Sequence, residues 1–195
     1  TQYLLAKDFE LIVVEADQDM VLYLNKYYPQ LKEHIIAGDF LKVRFEEFFE
    51  DKSFGLIGNF PYNISSQIIF KMLDYRHQVP EMVGMFQKEM AERVVAEPGT
   101  KTYGAISVLT QAYYEGAYLF TVDKSCFSPP PKVQSAVIRL ARKKEQTLSC
   151  DPVLFKQVVK ISFGQRRKML RNTMKSLVAD KSVLDGALFK RRPET

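Results

Sequence analysis

Asn59-Phe60-Pro61-Tyr62 follows the apolar run Phe54-Gly55-Leu56-Ile57-Gly58, and its residue types could handle the exocyclic amine of a nucleobase. Adenine N6 is a poor nucleophile because its lone pair is delocalised into the ring. A site counters this by accepting both N–H bonds and aiming the nitrogen at an electrophilic methyl. An Asn side-chain oxygen supplies one acceptor and a loop carbonyl the other. Pro61 fixes the backbone and has no N–H of its own. Tyr62 offers a flat face to a base taken out of its stack. The competing reading is structural, since Asn and Pro are common in turns between a strand and a helix.

The elements around this loop alternate. Leu11-Ile12-Val13-Val14 is a short β-branched run that reads as a buried parallel strand closed by Glu15-Ala16-Asp17. Helical spacing follows over 18–28 and stops at Pro29. His34–Ala37 and Phe54–Gly58 read as the next strands, 65–75 as a helix capped by Ser65 or Ser66, and Glu81–Phe86 as a fourth strand. Helices are expected over 87–97 and 104–115, then strands Tyr118–Val122 and Ser135–Leu140 around a Pro-rich loop. From Pro152 the pattern is helical. This alternation implies an α/β fold with an open, mostly parallel sheet and one antiparallel member in the final hairpin.

Ligands of such sheets bind at the carboxyl ends of the strands. Glu15 ends one strand and could take the two ribose hydroxyls of a nucleoside cofactor. Asp39 ends the next and could accept from an adenine edge, with Phe40 packing on that ring. Asn59 ends the third. Each acid alone is more often a turn former or helix cap; the ordered set of three points to a ligand crevice.

Composition narrows the classes. A chain of 195 residues, 46% apolar and 26% charged, is an ordinary globular composition. No apolar run approaches the roughly 20 residues that span a bilayer, and no basic leader precedes Leu4-Leu5. Cys126 and Cys150 are too isolated for a disulfide framework or a zinc site, and His34 and His77 have no ligand spacing, so no metal is expected. Residues 124–195 carry 17 Lys+Arg against 5 Asp+Glu, a net of +12, whereas residues 1–123 carry 11 against 18, a net of −7. Such a split suggests a catalytic body joined to a surface that meets polyanions.

With Val14–Asp17, Ala37–Phe40, Asn59–Ser65, Gln87–Arg93, Tyr103-Gly104, Cys126–Val137 and Phe163–Asn172 taken together, the chain resembles the ribosomal RNA adenine N6,N6-dimethyltransferases over its whole length. The resemblance implies a class I S-adenosylmethionine-dependent methyltransferase fold, Rossmann-like with an antiparallel last strand, and a small C-terminal helical domain. It divides the chain into a catalytic domain over 1–145 and an rRNA-binding domain over 146–195. It implies that Glu15, Ala16, Asp39, Phe40 and Asn59 bind S-adenosylmethionine. Asn59 and the Phe60 carbonyl would accept the target N6 protons beside Pro61, and Tyr62 and Phe127 would pack on the adenine. Arg166, Arg167, Lys168, Arg171 and Lys175 would meet rRNA phosphates, with 167, 171 and 175 on one helical face. The implied substrate is two adjacent adenines near the end of small-subunit rRNA, in a cytoplasmic, monomeric protein.

One departure accompanies the match. The family's first strand and Gly-rich loop are not found, and Thr1–Leu5 is similar to the helix after that loop. Arg191–Thr195 likewise stands before the family's last helices. The expectation is a piece of a longer protein, weak in cofactor binding and inactive alone, whose function is that of the parent. The nearest alternatives are a large-subunit rRNA methyltransferase conferring antibiotic resistance and a non-catalytic RNA-binding assembly or transcription factor of the same fold. A DNA adenine methyltransferase is a third.

Overall fold

The computed structural model of the chain describes residues 1–145 and 148–194. Two compact units, Thr1–Lys52 and Ser53–Thr195, make up the chain. The expected domain junction at 145/146 adjoins residues 146–147, outside the described residues.

The first unit holds helix α1 (Gln2–Leu5), strand β1 (Val13–Glu15), helix α2 (Gln18–Tyr27), strand β2 (Ile35–Ala37) and helix α3 (Glu46–Phe49). β1 and β2 are parallel, with Glu15 opposite Ala37. Asp17 starts α2 by accepting from the amides of Asp19 and Met20 at 2.8 and 3.2 Å, which satisfies two of the donors a helix start leaves open. Pro29 ends α2 as expected and opens a 3-10 segment, Pro29–His34. Leu31 beneath it is 2% exposed.

The second unit holds β3 (Leu56–Asn59), α4 (Ser65–Asp74), β4 (Glu81–Gln87), α5 (Lys88–Val94), α6 (Ala105–Gln111), β5 (Tyr114–Val122), β6 (Ser135–Arg142), α7 (Pro152–Gly164) and α8 (Leu170–Thr173). Its sheet has the order β3-β4-β6-β5. β3 and β4 are parallel, while β6 lies between β4 and β5 and is antiparallel to both. β6 is thus the one antiparallel member foreseen.

Strict alternation in β4 puts Met82, Gly84 and Phe86 on the buried face. Ala136, Ile138 and Leu140 of β6 are buried as well. Ile68, Ile69 and Met72 of α4 are fully buried; burying one such side chain contributes about 1.5–3 kcal/mol. At one end of this sheet order, β5 is exposed from Glu115 to Thr121.

Three local expectations are corrected. Neither Ser65 nor Ser66 caps α4: Ile64 holds that position, and the Ser65 hydroxyl donates back to the Tyr62 carbonyl at 3.0 Å. The helix expected over 104–115 ends at Gln111, because Tyr114 is drawn into β5 and its hydroxyl donates to the Val79 carbonyl at 2.7 Å. The C-terminal helix is not continuous through the basic cluster. α7 ends at Gly164, Gln165 takes φ −129° and ψ 54°, and helix resumes only at Leu170. Residues 167, 171 and 175 therefore do not share one helical face. Gly164 is a poor helix former, and the Arg166 side chain is held elsewhere, donating to the Thr100 carbonyl at 3.0 Å.

Candidate active site

The loop after β3 is fixed by burial of its second residue. Asn59 is the last residue of β3, opposite Met85, and the Phe60 amide donates to the Met85 carbonyl at 3.3 Å. The Phe60 ring turns inward, 8% exposed, and stacks on Phe86 with centroids 5.3 Å apart. It lies over Gly58 and Gly84, which face each other across the two strands. A Cβ on Gly58 would stand 2.9 Å from the Phe60 ring, and one on Gly84 would stand 2.7 Å from both the Phe60 and Phe86 rings. The absence of two side chains makes the slot for the third.

With Phe60 anchored, its neighbours face outward. Asn59 and Pro61 are exposed and Tyr62 is half-buried. The Asn59 side-chain amide has no hydrogen-bond partner among the described residues, so its oxygen can accept from a ligand. Tyr62–Ile64 forms a 3-10 turn leading into α4. The Tyr62 hydroxyl meets the Ser135 hydroxyl at 2.5 Å.

Phe127 is half-buried in the connection between β5 and β6, after a 3-10 turn over Lys124–Cys126. Asp123 begins this loop. It accepts from the Ser125 amide at 2.9 Å and from Gln134 Nε2 at 3.3 Å, so the loop is closed at its neck. The Ser125 hydrogen bonds, then that from Gln134, hold the Asp123 carboxyl below its usual range. The Ser128–Pro129 peptide is cis.

In the first unit, Glu15 and Asp39 stand at the carboxyl ends of neighbouring parallel strands, linked by a Gly38 amide that donates to the Glu15 carbonyl at 2.8 Å. Each acid also makes the local contact expected of a turn former. Glu15 Oε1 accepts from the Asp17 amide at 2.9 Å, and Asp39 Oδ1 accepts from the Leu41 amide at 2.9 Å. The second oxygen of each has no hydrogen-bond partner among the described residues. Ala16 is exposed beside Glu15. Phe40 is half-buried, with its ring 5.6 Å from that of Phe45. Two carboxylates on adjacent strand ends suit a diol and an amine of one nucleoside, so this donor set fits the implied cofactor. The row of three strand ends divides between the units: two in the first, Asn59 in the second.

The basic residues separate into two groups. Arg166 is half-buried and held: besides its bond to Thr100 it stands 3.8 Å from the Glu194 carboxylate, and the Glu194 carbonyl receives the Gly99 amide at 2.8 Å. Arg167, Lys168, Arg171 and Lys175 are exposed. Arg171 and Lys175 line a cavity of about 420 Å³ together with Asn172, Lys181, Ser182 and Asp185. Among the described residues no cluster of His, Cys, Asp or Glu could hold a metal ion, and no helix is long and apolar enough to cross a membrane.

Sequence reasoning assigned no role to Ser135, Gln134, Gly58 or Gly84. A small polar residue opening an otherwise apolar strand was the available signal for Ser135.

Residues 3–186 match the family model described as Ribosomal RNA adenine dimethylase. The chain is 53% identical over 195 residues to the Ribosomal RNA small subunit methyltransferase A of Bacteroides fragilis, covering 100% of this chain and 72% of that protein. To the protein of the same name from Bacteroides thetaiotaomicron it is 54% identical, covering 100% and 73%. A crystal structure of a dimethyladenosine transferase from Plasmodium falciparum superposes with a TM-score of 0.73 at 29% identity, over 90% of this chain and 62% of that one. The 23S rRNA methyltransferase ErmE superposes at 0.65 and 22% identity, over 93% and 76%, which speaks to the fold alone. The fold is that of the class I methyltransferases, and the chain belongs to the ribosomal RNA adenine dimethylase family.

Proposed function

We propose that the protein dimethylates the N6 amines of two adjacent adenines near the end of small-subunit rRNA, with S-adenosylmethionine as donor, during ribosome assembly in the cytoplasm. The observation that carries this reading is Asn59: an unpartnered amide at a strand's carboxyl end, beside a loop locked by the buried Phe60. When bound, S-adenosylmethionine supplies the electrophilic methyl. Glu15 would hold its ribose through the carboxylate oxygen that Asp17 leaves open, and Asp39 its adenine amine, with Ala16 and Phe40 alongside.

In the first transfer Asn59 Oδ1 and the Phe60 carbonyl would accept hydrogen bonds from the two N6–H groups, which turns the nitrogen lone pair out of the ring. N6 sheds one proton to solvent as it is methylated, so one N–H remains for the second transfer. Tyr62 and Phe127 take the faces of the extruded base, a contribution of about 1–3 kcal/mol for each stacked base. Catalysis then consists of positioning and charge complementarity. Arg167, Lys168, Arg171 and Lys175 meet phosphates, giving affinity that falls with salt and carries little sequence information. Arg166 acts by tethering the C-terminal segment. Residues 146–195 would form the RNA-binding part and 1–145 the catalytic part.

The full-length protein, incubated with labelled S-adenosylmethionine and either unmethylated small or large ribosomal subunits, tests the reading. Dimethyladenosine in small-subunit rRNA is expected. Label confined to the large subunit would replace the substrate; no label on either, with cofactor bound, would leave a binding protein.

A further inference from the structure

A side-chain hydrogen bond ties the loop after β3 to the strand that follows the Phe127 loop. Tyr62 lies in the loop after β3 and Ser135 opens β6, yet their hydroxyls stand 2.5 Å apart across 73 positions of sequence. Ser135 is fully buried. Its backbone is fixed on both sides, opposite Gln87 of β4 and Val122 of β5. One residue earlier, the Gln134 carbonyl accepts from the Lys88 amide at 2.9 Å, and Gln134 Nε2 reaches Asp123. Asp123 and Gln134 are the two ends of the loop that carries Phe127. The residue holding the Tyr62 ring is thus continuous with the closed neck of the Phe127 loop.

This matters because an aromatic side chain at a half-exposed position can choose among staggered wells about its first torsion. A hydrogen bond to a buried hydroxyl selects one of them. The pairing is reciprocal, since a buried hydroxyl left without a partner is costly.

We propose that Ser135 is a positioning residue for base capture: through the Tyr62 hydroxyl it sets the angle of the Tyr62 ring relative to the Phe127 loop, so that an extruded adenine meets two preset faces. The proposal rests on the reading of this loop as an adenine site. Ser135 touches neither substrate nor cofactor. Its effect falls on the fraction of bound RNA whose target base is stacked, and so on the rate within the complex. RNA affinity, carried mainly by phosphate contacts, changes less than the rate of transfer.

The test is a double-mutant cycle in the full-length protein with Ser135→Ala, Tyr62→Phe and the pair. Single-turnover transfer to unmethylated small subunits is measured alongside RNA affinity, thermal unfolding and the fluorescence of a 2-aminopurine at the target position. Each single variant is expected to slow transfer about five-fold, the size of one net hydrogen bond, and to weaken the change in 2-aminopurine signal. The double variant is expected to be no slower than either single, and the RNA dissociation constant to rise by less than the rate of transfer falls.

Losses that multiply in the double variant, or a wild-type rate in Tyr62→Phe, would overturn the proposal while Asn59→Ala still silent keeps the activity reading. Tyr62→Phe keeps the ring and decides the matter should Ser135→Ala unfold. No transfer by the wild-type protein overturns the activity reading and the positioning role with it.

Discussion

The acids proposed for the cofactor and the loop proposed for the base are held in opposite ways. Glu15 and Asp39 sit at the ends of two three-residue strands, each with one carboxylate oxygen spent on a local amide. Asn59 and Tyr62 sit on a loop whose intervening residue is buried and whose far end is hydrogen-bonded to a buried strand. The acids need only present charge to a polar ligand. In the proposed reaction the loop offers two acceptors to one nitrogen in a fixed geometry, which calls for rigidity there.

The sharpest way to break this contrast is Asn59→Ala. It should lower transfer by about 10²–10³-fold, the loss typical when one preorganised polar partner is removed, with the unfolding midpoint unchanged. Label incorporation and a denaturant curve on the same sample check both halves. Gly84→Ala probes the support behind the loop. A Cβ there would stand 2.7 Å from two rings, so about 1–3 kcal/mol of stability should be lost to overpacking. Equilibrium unfolding in urea measures this, and transfer should fall because the Phe60 anchor has shifted.

Glu15→Gln examines the other side: cofactor affinity should weaken about ten-fold, as for one lost charged hydrogen bond, with stability within about 0.5 kcal/mol of wild type. Isothermal titration checks the first and thermal melting the second.

Smaller effects follow beyond the site. Burial pushes the Tyr114 hydroxyl up to about 12 from 10.0, against the opposing pull of Arg142 and Arg76. A group whose folded value is raised stabilises fully below its unfolded value and loses that contribution as pH climbs through the folded one. Wild type should therefore lose more stability than Tyr114→Phe between pH 10 and 12, measured as the difference between their urea midpoints. Smallest of all, Arg139→Ala removes a surface pair at 2.6 Å with Glu81. The hydrogen bond from Arg139 holds the Glu81 carboxyl below its usual range, but exposed pairs contribute little, and no resolvable change in melting is expected.

Much of this architecture was legible because it is local. β-branched runs such as Val13-Val14 marked strands, Asp17 and Pro29 marked helix limits, and the lone antiparallel strand followed from two strands joined without a helix. Asn59 and Tyr62 were singled out from chemistry; Asn59 ends β3 and Tyr62 stands on the loop that follows it. What escaped was long-range. The break after Gly164 comes with Arg166 reaching Thr100, 66 positions away. The start of β5 at Tyr114 depends on a partner at Val79. The partnership of Tyr62 with Ser135 exists only once β6 has paired with β4. Periodicity carries no record of such contacts.

The slot formed by Gly58, Gly84 and Phe60 has an evolutionary consequence. Neither glycine touches a ligand in the proposed reaction, yet each bounds the Phe60 ring beside Asn59. Relatives should therefore vary these three positions jointly or not at all. A methyl gained at 58 or 84 is tolerable only where residue 60 has lost its ring, so a lineage that changes one member should carry a compensating change at another.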